Sequence, residues 1–174
     1  MLSVLVVDDD DTIRETLVDF FATLGHVARG ARTATEGRQV AAAHSPDVAL
    51  VDLRLPDADG LRLMEVLRAD HPDVAVILLT GHGDVATAVR AMREGAADFL
   101  EKPIDLQALD AAVRRAAEHA RLARAFEIFY STKPGGTGIG LALCQRIIDE
   151  HGGTIALESV PEAGTALTIT LPPG

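Results

Sequence analysis

Short apolar runs alternate with amphipathic stretches through residues 1–104. Each run is brief and almost entirely apolar, as strands covered on both faces are. The predicted strands lie at residues 2–7, 26–30, 47–51, 74–79 and 97–100. The stretches between them have helical spacing, and the predicted helices lie at residues 11–24, 33–44, 59–69 and 84–94. Repeated strand–helix units with short connections predict an α/β fold built on a doubly wound, five-stranded parallel sheet.

Capping and breaking residues set the predicted helix ends. Asp11 or Thr12 is expected to cap the first helix, because short polar side chains accept hydrogen bonds from the free N–H groups of the first turn. Gly25, Gly95 and the Ser45-Pro46 pair are expected to end helices, since these residues suit the backbone that follows a helix.

The last helix of this region begins near Asp105 and meets no glycine or proline before Tyr130. It is therefore expected to leave the domain as one long helix. An alanine-rich stripe at heptad spacing along this helix could face a second copy of the chain. The stripe consists of Leu106, Leu109, Val113, Ala116, Ala120 and Ala123. The alternative is a helix that packs on the sheet and then frays.

The pattern changes after Pro134. A glycine-rich loop, a helix and two strands are predicted there, at residues 135–140, 141–151, 154–159 and 165–171. Apolar residues and threonines alternate along the second strand, as in a sheet with one buried face. We therefore expect a first domain at residues 1–120 and a small α+β extension at residues 121–174.

The charge and composition of the chain indicate which partners it can bind and where in the cell it is expected. The 174 residues carry a formal net charge of −10, whereas nucleic acids and anionic membranes attract basic faces. Neither is expected as a partner. No apolar run is long enough to span a bilayer and the N-terminus shows no secretory signal, so a soluble cytoplasmic protein is expected. The single cysteine, Cys144, lies in an apolar helical stretch and is expected to be a buried thiol.

Polar side chains follow the predicted strands at the points where they end. Asp8 and Asp9 follow the first strand, Asp52 the third, Thr80 the fourth and Lys102 the fifth. The carboxyl ends of parallel strands lie on one edge of the sheet, where α/β folds place their sites. Three acids, a hydroxyl and an amine are therefore expected to converge. Such a set can hold a divalent cation, a nucleophilic carboxylate and a phosphoryl group together.

Residues 1–120 resemble a receiver domain of two-component response regulators, a flavodoxin-like fold. Four blocks in the family's order carry the resemblance: VVDD at 6–9, DLRLPDADG at 52–60, TGHGD at 80–84 and FLEKP at 99–103. The last two blocks are most similar to receivers of the nitrogen-regulator type. The resemblance implies a partner that donates the phosphoryl group, either a sensor histidine kinase or a phosphotransfer protein.

The resemblance also implies roles at the strand ends. Asp52 would be the nucleophile that takes the phosphoryl group from a phosphohistidine, so it would be the phosphorylation site. Mg²⁺ would be held by Asp8, Asp9, Asp52 and the carbonyl of Arg54, since this ion favours a few carboxylates with water and phosphate oxygens. The alternative is that Asp8 and Asp9 merely cap a strand end and that Asp52 is an acid of a turn.

Three further residues complete the implied site. Lys102 would pair with one phosphoryl oxygen and Thr80 would donate its hydroxyl to another. Phe99 would change rotamer when Thr80 moves. The Lys102-Pro103 peptide bond is a candidate for the cis form, which would aim the lysine inward. His82 is not expected to be a ligand, because Mg²⁺ prefers oxygen.

Residues 126–174 resemble the end of a histidine kinase ATP-binding domain. The matching blocks are FEIFYSTK at 126–133, GTGIGL at 136–141, HGGTI at 151–155 and GTAL at 164–167. In that family an asparagine block that carries Mg²⁺ and an aspartate–glycine block that reads adenine come earlier, and residues 105–130 supply neither. His119 lacks the flanking pattern of a phosphoaccepting histidine. The glycine loop is therefore interpreted as a scaffold remnant and not as a cofactor-binding site.

A helix and two strands are too small to close a core alone, so something must cover this part: the first domain, a second copy or a partner kinase. A second copy is the simplest answer, and a homodimer held through Ile155, Leu157, Leu167 and Ile169 is expected. The sequence thus favours a response regulator that accepts a phosphoryl group on Asp52 and uses a kinase-like tail for dimerisation or partner binding. One alternative is a hybrid histidine kinase fragment that retains ATP binding. A transcription factor is disfavoured, because no basic helix–turn–helix pattern follows residue 120.

Overall fold

The computed structural model describes residues 1–81, 85–125, 140–160 and 164–172. The chain divides into two compact units, Met1–Ala117 and Glu118–Gly174. Within the described ranges, no helix is long and apolar enough to cross a membrane. The phenylalanine block, most of the glycine loop and His82 lie outside the described residues. The functional assignment of residues 1–120 and 121–174 as two domains stays a prediction.

The first unit alternates strands and helices as expected. Its elements are β1 (Ser3–Val7), α1 (Asp11–Thr23), β2 (Val27–Ala31), α2 (Ala34–His44), β3 (Val48–Asp52), α3 (Gly60–Asp70), β4 (Ala75–Thr80), α4 (Val85–Arg93), β5 (Asp98–Glu101) and the first part of α5 (Leu106–Arg124), a helix that continues past Ala117 into the second unit. The strands pair in parallel in the order β2-β1-β3-β4-β5. The predicted doubly wound parallel sheet is confirmed.

Burial follows the position of each strand in the sheet. The two strands at the heart of the order, β3 and β4, are buried along their whole length, because neighbours cover both edges and helices cover both faces. The edge strands β2 and β5 are only partly buried. The core is aliphatic, with Val7, Val51 and Leu78 fully buried among α2 and α3 side chains. This rigid centre fixes the carboxyl ends of the strands.

Helix ends agree with the sequence except at one cap. Gly25, Gly95 and Ser45 adopt positive φ values of 79°, 95° and 43° and end their helices as predicted. The expectation that Asp11 or Thr12 caps α1 is wrong. Asp10 is the cap, and its carboxylate accepts hydrogen bonds from the backbone N–H groups of Thr12 and Ile13. Residues 8–11 are all aspartates, and each is an equally good capping residue by its side chain. The sequence therefore does not show which of them caps α1, and the structure identifies Asp10.

The long helix α5 reaches Arg124, and its first half belongs to the core. Leu109 and Val113 are fully buried and Ala116 is nearly so, all within the first unit. These residues therefore cannot face a second copy, and that part of the predicted dimer stripe is wrong. Heptad spacing looks the same whether a helix packs on a sheet or on another helix, so periodicity could not separate the two.

The second unit contains α6 (Gly140–Glu150), β6 (Thr154–Val160) and β7 (Gly164–Thr170). The strands form an antiparallel two-stranded sheet, as predicted. Ile148 of α6 is buried. The turn after α6 passes so near β7 that a Cβ on Gly153 would lie 2.6 Å from the carbonyl oxygen of Thr170. Cys144 is exposed, so the expected buried thiol is wrong; its helix has too little packed against it to bury more than one face.

A carboxylate holds the loop after β3 against α2. Asp57 accepts hydrogen bonds from the backbone N–H groups of Ala34 and Thr35, at 2.8 and 2.9 Å, and from the Thr35 hydroxyl. These groups form the first turn of α2, whose free N–H groups favour a negative charge. The hydrogen bonds from Thr35 and Ala34 hold the pKa of Asp57 below its ordinary value. The loop that follows Asp52 is thereby anchored to a neighbouring helix.

Replacing Asp57 with Asn is expected to lower the melting temperature at neutral pH, because the helix end loses its anion. A depressed folded-state pKa contributes stability above the unfolded pKa, and that contribution is lost as the pH falls through and below about 4. Thermal melts from pH 7 to pH 3 should therefore show the wild type and the variant converging in acid. Asp70→Asn is the matched control, since Asp70 makes only an exposed ion pair with Arg38, at 3.1 Å. A gap between wild type and variant that persists unchanged in acid would contradict the role of the charge.

The start of α3 lies directly against the end of β3. The N–H of Gly60 donates to the carbonyl oxygen of Leu53 at 2.9 Å. A Cβ at position 60 would lie 2.8 Å from the Cα of Leu53 and nearer still to the carbonyl oxygen of Asp52. Both are backbone atoms, so no rotamer change can relieve the clash. Glycine at position 60 therefore allows α3 to begin in close contact with the backbone of Asp52 and Leu53.

Gly60→Ala is expected to destabilise the first unit by about 1–3 kcal/mol, the usual cost of overpacking a closed site. Urea denaturation followed by circular dichroism measures this change. Gly81→Ala serves as the control, because a Cβ at Gly81 meets nothing within 4 Å. Its effect should stay within about 0.5 kcal/mol. Equal losses in the two variants would show that close approach at Gly60 is not the cause.

Candidate functional site

The parallel sheet brings the chemical groups at its strand ends to one edge. Asp52 is the last residue of β3, Asp8 follows β1 and Lys102 follows β5. Because β1 and β4 flank β3, groups at their ends meet around Asp52. Asp8, Asp9 and Asp52 each offer a carboxylate oxygen, and these three atoms lie within 4.8 Å of one another. The expected convergence of the three acids is therefore present in the structure.

Lys102 lies between two of these acids. Its Nζ donates to Asp8 Oδ2 at 2.7 Å and to Asp52 Oδ2 at 2.8 Å. The backbone of Lys102 is held at the end of β4, since its N–H donates to the carbonyl oxygen of Thr80 at 2.6 Å. The Lys102-Pro103 peptide bond is cis, as the sequence predicted. One ammonium group thus bridges the carboxyl ends of β1 and β3.

Burial and charge oppose each other in this cluster. Asp8 is fully buried, and burial raises its pKa above the ordinary value despite the hydrogen bond from Lys102. Burial alone would lower the pKa of Lys102, but its hydrogen bonds to Asp52 and Asp8 outweigh that effect and raise it. Lys102 therefore stays protonated at neutral pH. Three carboxylates facing one ammonium leave an excess of negative charge that a cation would compensate.

The three acids differ in exposure, which sets the approach to the site. Asp8 and Asp52 are buried while Asp9 is exposed. Asp52 uses one oxygen for Lys102, and its other oxygen accepts from the N–H of Arg54 at 3.3 Å. An all-oxygen donor set with two buried anions and one open side suits Mg²⁺, which keeps several waters. The residues present therefore fit this ion.

Arg14 holds the backbone of Asp8 through a hydrogen bond that was not expected from the sequence. Its Nη1 donates to the carbonyl oxygen of Asp8 at 2.8 Å, and its guanidinium also pairs with Asp11. Its side-chain carbons cross β2 at Gly30, where an added Cβ would lie 3.0 Å from Cγ and Cδ of Arg14. The available signal was Gly30 itself, since a glycine inside a strand often marks a close approach.

Thr80 and Phe99 lie on neighbouring strands near the cluster. Thr80 is buried at the end of β4. Phe99, on β5, is partly buried against the aliphatic core and pairs in register with Leu78. The structure thus brings both residues to the same half of the sheet. Their predicted action as a switch pair stays a prediction.

Comparison with known proteins agrees with this geometry. The family model of the response regulator receiver domain matches residues 4–114. A second model, of the histidine kinase-, DNA gyrase B- and HSP90-like ATPases, matches residues 103–174. A receiver domain protein from Clostridium thermocellum superposes with a TM-score of 0.66 at 33% identity, covering 71% of this chain and 99% of that chain.

Curated relatives are longer proteins. The photosynthetic apparatus regulatory protein RegA of Cereibacter sphaeroides is 45% identical over 103 residues, which are 59% of this chain and 56% of that protein. The DNA-binding transcriptional regulator NtrC of Proteus hauseri is 38% identical over 119 residues, 68% of this chain but 25% of that protein. The chain therefore spans little more than half of RegA and a quarter of NtrC. The matched receiver model covers most of the first unit, and the convergent acids, hydroxyl and lysine lie within it. The chain belongs to the response regulator receiver family of two-component signalling.

Proposed function

We propose that this chain accepts a phosphoryl group on Asp52 from the phosphohistidine of a sensor histidine kinase or phosphotransfer protein. One observation carries the proposal: Asp52 is a buried carboxylate at a strand end, held by Lys102 and adjacent to Asp8 and Asp9. If Asp52 only stabilised a turn, its ion pair with the largely buried ammonium group of Lys102 would have no structural purpose. The receiver family match supports the same reaction.

The transfer exchanges one bond for another at phosphorus. The P–N bond to the donor histidine breaks and its electron pair returns to the imidazole, while an Asp52 oxygen forms the new P–O bond. Such transfer depends mainly on positioning and charge stabilisation. Asp8, Asp9 and Asp52, with the carbonyl of Arg54, would hold Mg²⁺, which supplies positive charge against the phosphoryl oxygens.

The remaining site residues act on the phosphoryl oxygens in this proposal. Lys102 is already protonated and bound to Asp52, so it can keep a hydrogen bond to the phosphorylated side chain without a proton transfer. Thr80 lies at the end of the adjacent strand β4, where its hydroxyl would donate to another oxygen. Phe99 on β5 would then follow the movement of Thr80.

The second unit is proposed to serve assembly, with a second copy or with another protein. Its sheet leaves large apolar side chains exposed, including Leu167 at 46% and Ile169 at 50%. Nucleic acid is not proposed as a partner, because the net charge of −10 opposes it. The DNA binding named for NtrC belongs to a protein of which this chain matches a quarter.

Incubation with a small phosphodonor and Mg²⁺ is expected to add one phosphoryl group, and Asp52→Asn should abolish it. The amide has no nucleophilic carboxylate oxygen to offer, so the loss should be complete. Intact-mass spectrometry measures the adduct. Label on the Asp52→Asn protein would overturn the assignment of the site.

Two controls separate the nucleophile from the metal. Asp70→Asn, on the exposed end of α3, should accept phosphate at the wild-type rate. Asp9→Asn should slow the reaction and weaken Mg²⁺ binding together, because it removes the exposed ligand of the cluster. Undiminished phosphorylation in excess chelator would reject the metal role while leaving Asp52 as the acceptor.

A second candidate, ATP binding by the tail, is favoured by the ATPase family match to residues 103–174. Titration calorimetry with ATP and Mg²⁺ is nevertheless expected to show no saturable binding in the micromolar range, where a site would contribute about 8 kcal/mol. The reason is that the adenine-reading and Mg²⁺-binding blocks of that family are missing from the sequence. A micromolar isotherm that vanishes in Gly138→Val would establish the kinase-like alternative instead.

A further inference from the structure

The sheet of the second unit has one apolar face that its helix covers unevenly. Ile155 pairs with Ile169 and Leu157 with Leu167, so these four side chains lie on the same face. The two on β6, against which α6 packs, are partly buried. The two on β7 are about half exposed. The uncovered part of the face therefore follows β7.

The same unit exposes further large apolar side chains. Leu171, just past β7, is 59% exposed, and Leu143 and Ile147 on α6 are 51% and 47% exposed. Together with Leu167 and Ile169 these are five large side chains, each about half uncovered. Covering them on two copies would remove on the order of 1,000 Å² of accessible surface, which is close to the lower limit for a specific interface.

The sequence of β7 lacks the charged side chains and prolines that usually protect an edge strand. Within the described parts of the chain, β7 pairs with β6 alone. Residues 164–171 contain no charged residue and no proline. Other edge strands of this chain carry charges, for instance Arg29 on β2 and Asp98 on β5. Natural proteins place such charges to prevent strands from pairing with foreign edges, so the absence of charges on β7 leaves its outer edge open to pairing with another strand.

A second copy of this chain supplies what this edge and face lack. Its own β7 is another uncharged strand, whose only paired strand in the described part of the chain is β6. Antiparallel pairing of identical strands about a two-fold axis is geometrically closed. An axis perpendicular to the sheet places both α6 helices on one face. Leu167 and Ile169 of the two copies would then form one continuous apolar strip between those helices. A charged partner would gain nothing from an edge that offers only amides, threonines and aliphatic groups.

We propose that β7 pairs with β7 of a second copy, giving a four-stranded antiparallel sheet in the order β6-β7-β7-β6. This inference rests on the proposed assembly role of the second unit and is independent of phosphoryl transfer at Asp52. The dimer contact lies wholly within the second unit, since the α5 stripe residues Leu109 and Val113 are already buried in the first.

Analytical ultracentrifugation of the full chain at micromolar concentration should give twice the chain mass. Thr168→Lys should weaken association at least tenfold, because pairing of the two β7 strands brings the two added positive charges close together. In the monomer the lysine stays solvated, since Thr168 is exposed on the face opposite Leu167. Thr168→Val is the matched control, with similar shape and no charge, and should remain dimeric. Phosphorylation of Asp52 in each variant shows that the first unit is intact, so a failed dimer and a failed phosphoacceptor are told apart.

Disulfide trapping locates the contact in a Cys144→Ser background. Single cysteines at Ala166 or Thr168 on β7 should give a covalent dimer on oxidation at one or both positions. A cysteine at Ala156, which pairs with Thr168 on the outer strand β6, should not. A monomeric full chain would overturn the proposal. A dimer that tolerates Thr168→Lys and forms a disulfide at Ala156, or at no position on β7, would also overturn it. In that case the contact between the two copies would lie outside β7.

Discussion

Three carboxylates share one edge of the sheet with a single ammonium group, and this electrostatic balance governs the surrounding structure. Asp8 is buried deeply enough for its pKa to rise, while Lys102 is held between it and Asp52 by two short hydrogen bonds. Such a cluster is stable only when its backbone is fixed, because a small displacement would leave buried charge uncompensated. Much of the first unit can be understood as the means of fixing it.

That support comes from elements distant in sequence. Arg14 on α1 binds the carbonyl oxygen of Asp8, and Asp57 ties the loop after Asp52 to the start of α2. Gly60 lets α3 begin directly against the end of β3. Each of these contacts fixes backbone near the cluster, and none of them uses a carboxylate oxygen of Asp8 or Asp52. The two carboxylates are thereby placed firmly without direct contact from these supports.

The sequence predicted the strand-end groups but not their supports. Parallel topology alone forces Asp52 and Lys102 to one edge, so recognising the strands was sufficient. Arg14 and Asp57 bind backbone groups, and which backbone group lies in reach depends on packing that no local pattern records. The exposed Cys144 shows a related limit, since helical periodicity reveals an apolar face without revealing whether anything covers it. The predicted helix and two-stranded sheet of the second unit are present, and only the predicted burial of Cys144 is wrong.

The crossing of Arg14 over Gly30 has a consequence for sequence variation. Cγ and Cδ of Arg14 occupy the space that a side chain at position 30 would need. A larger residue at 30 requires the Arg14 side chain to shift from its present path or to be replaced by a shorter one, and either change disturbs the hydrogen bond to Asp8. The two positions should therefore vary together among related chains, although they lie on different elements and neither belongs to the acidic cluster. The residues allowed at position 30 on the edge strand β2 are in this way restricted by the hydrogen bond between Arg14 and the backbone of Asp8.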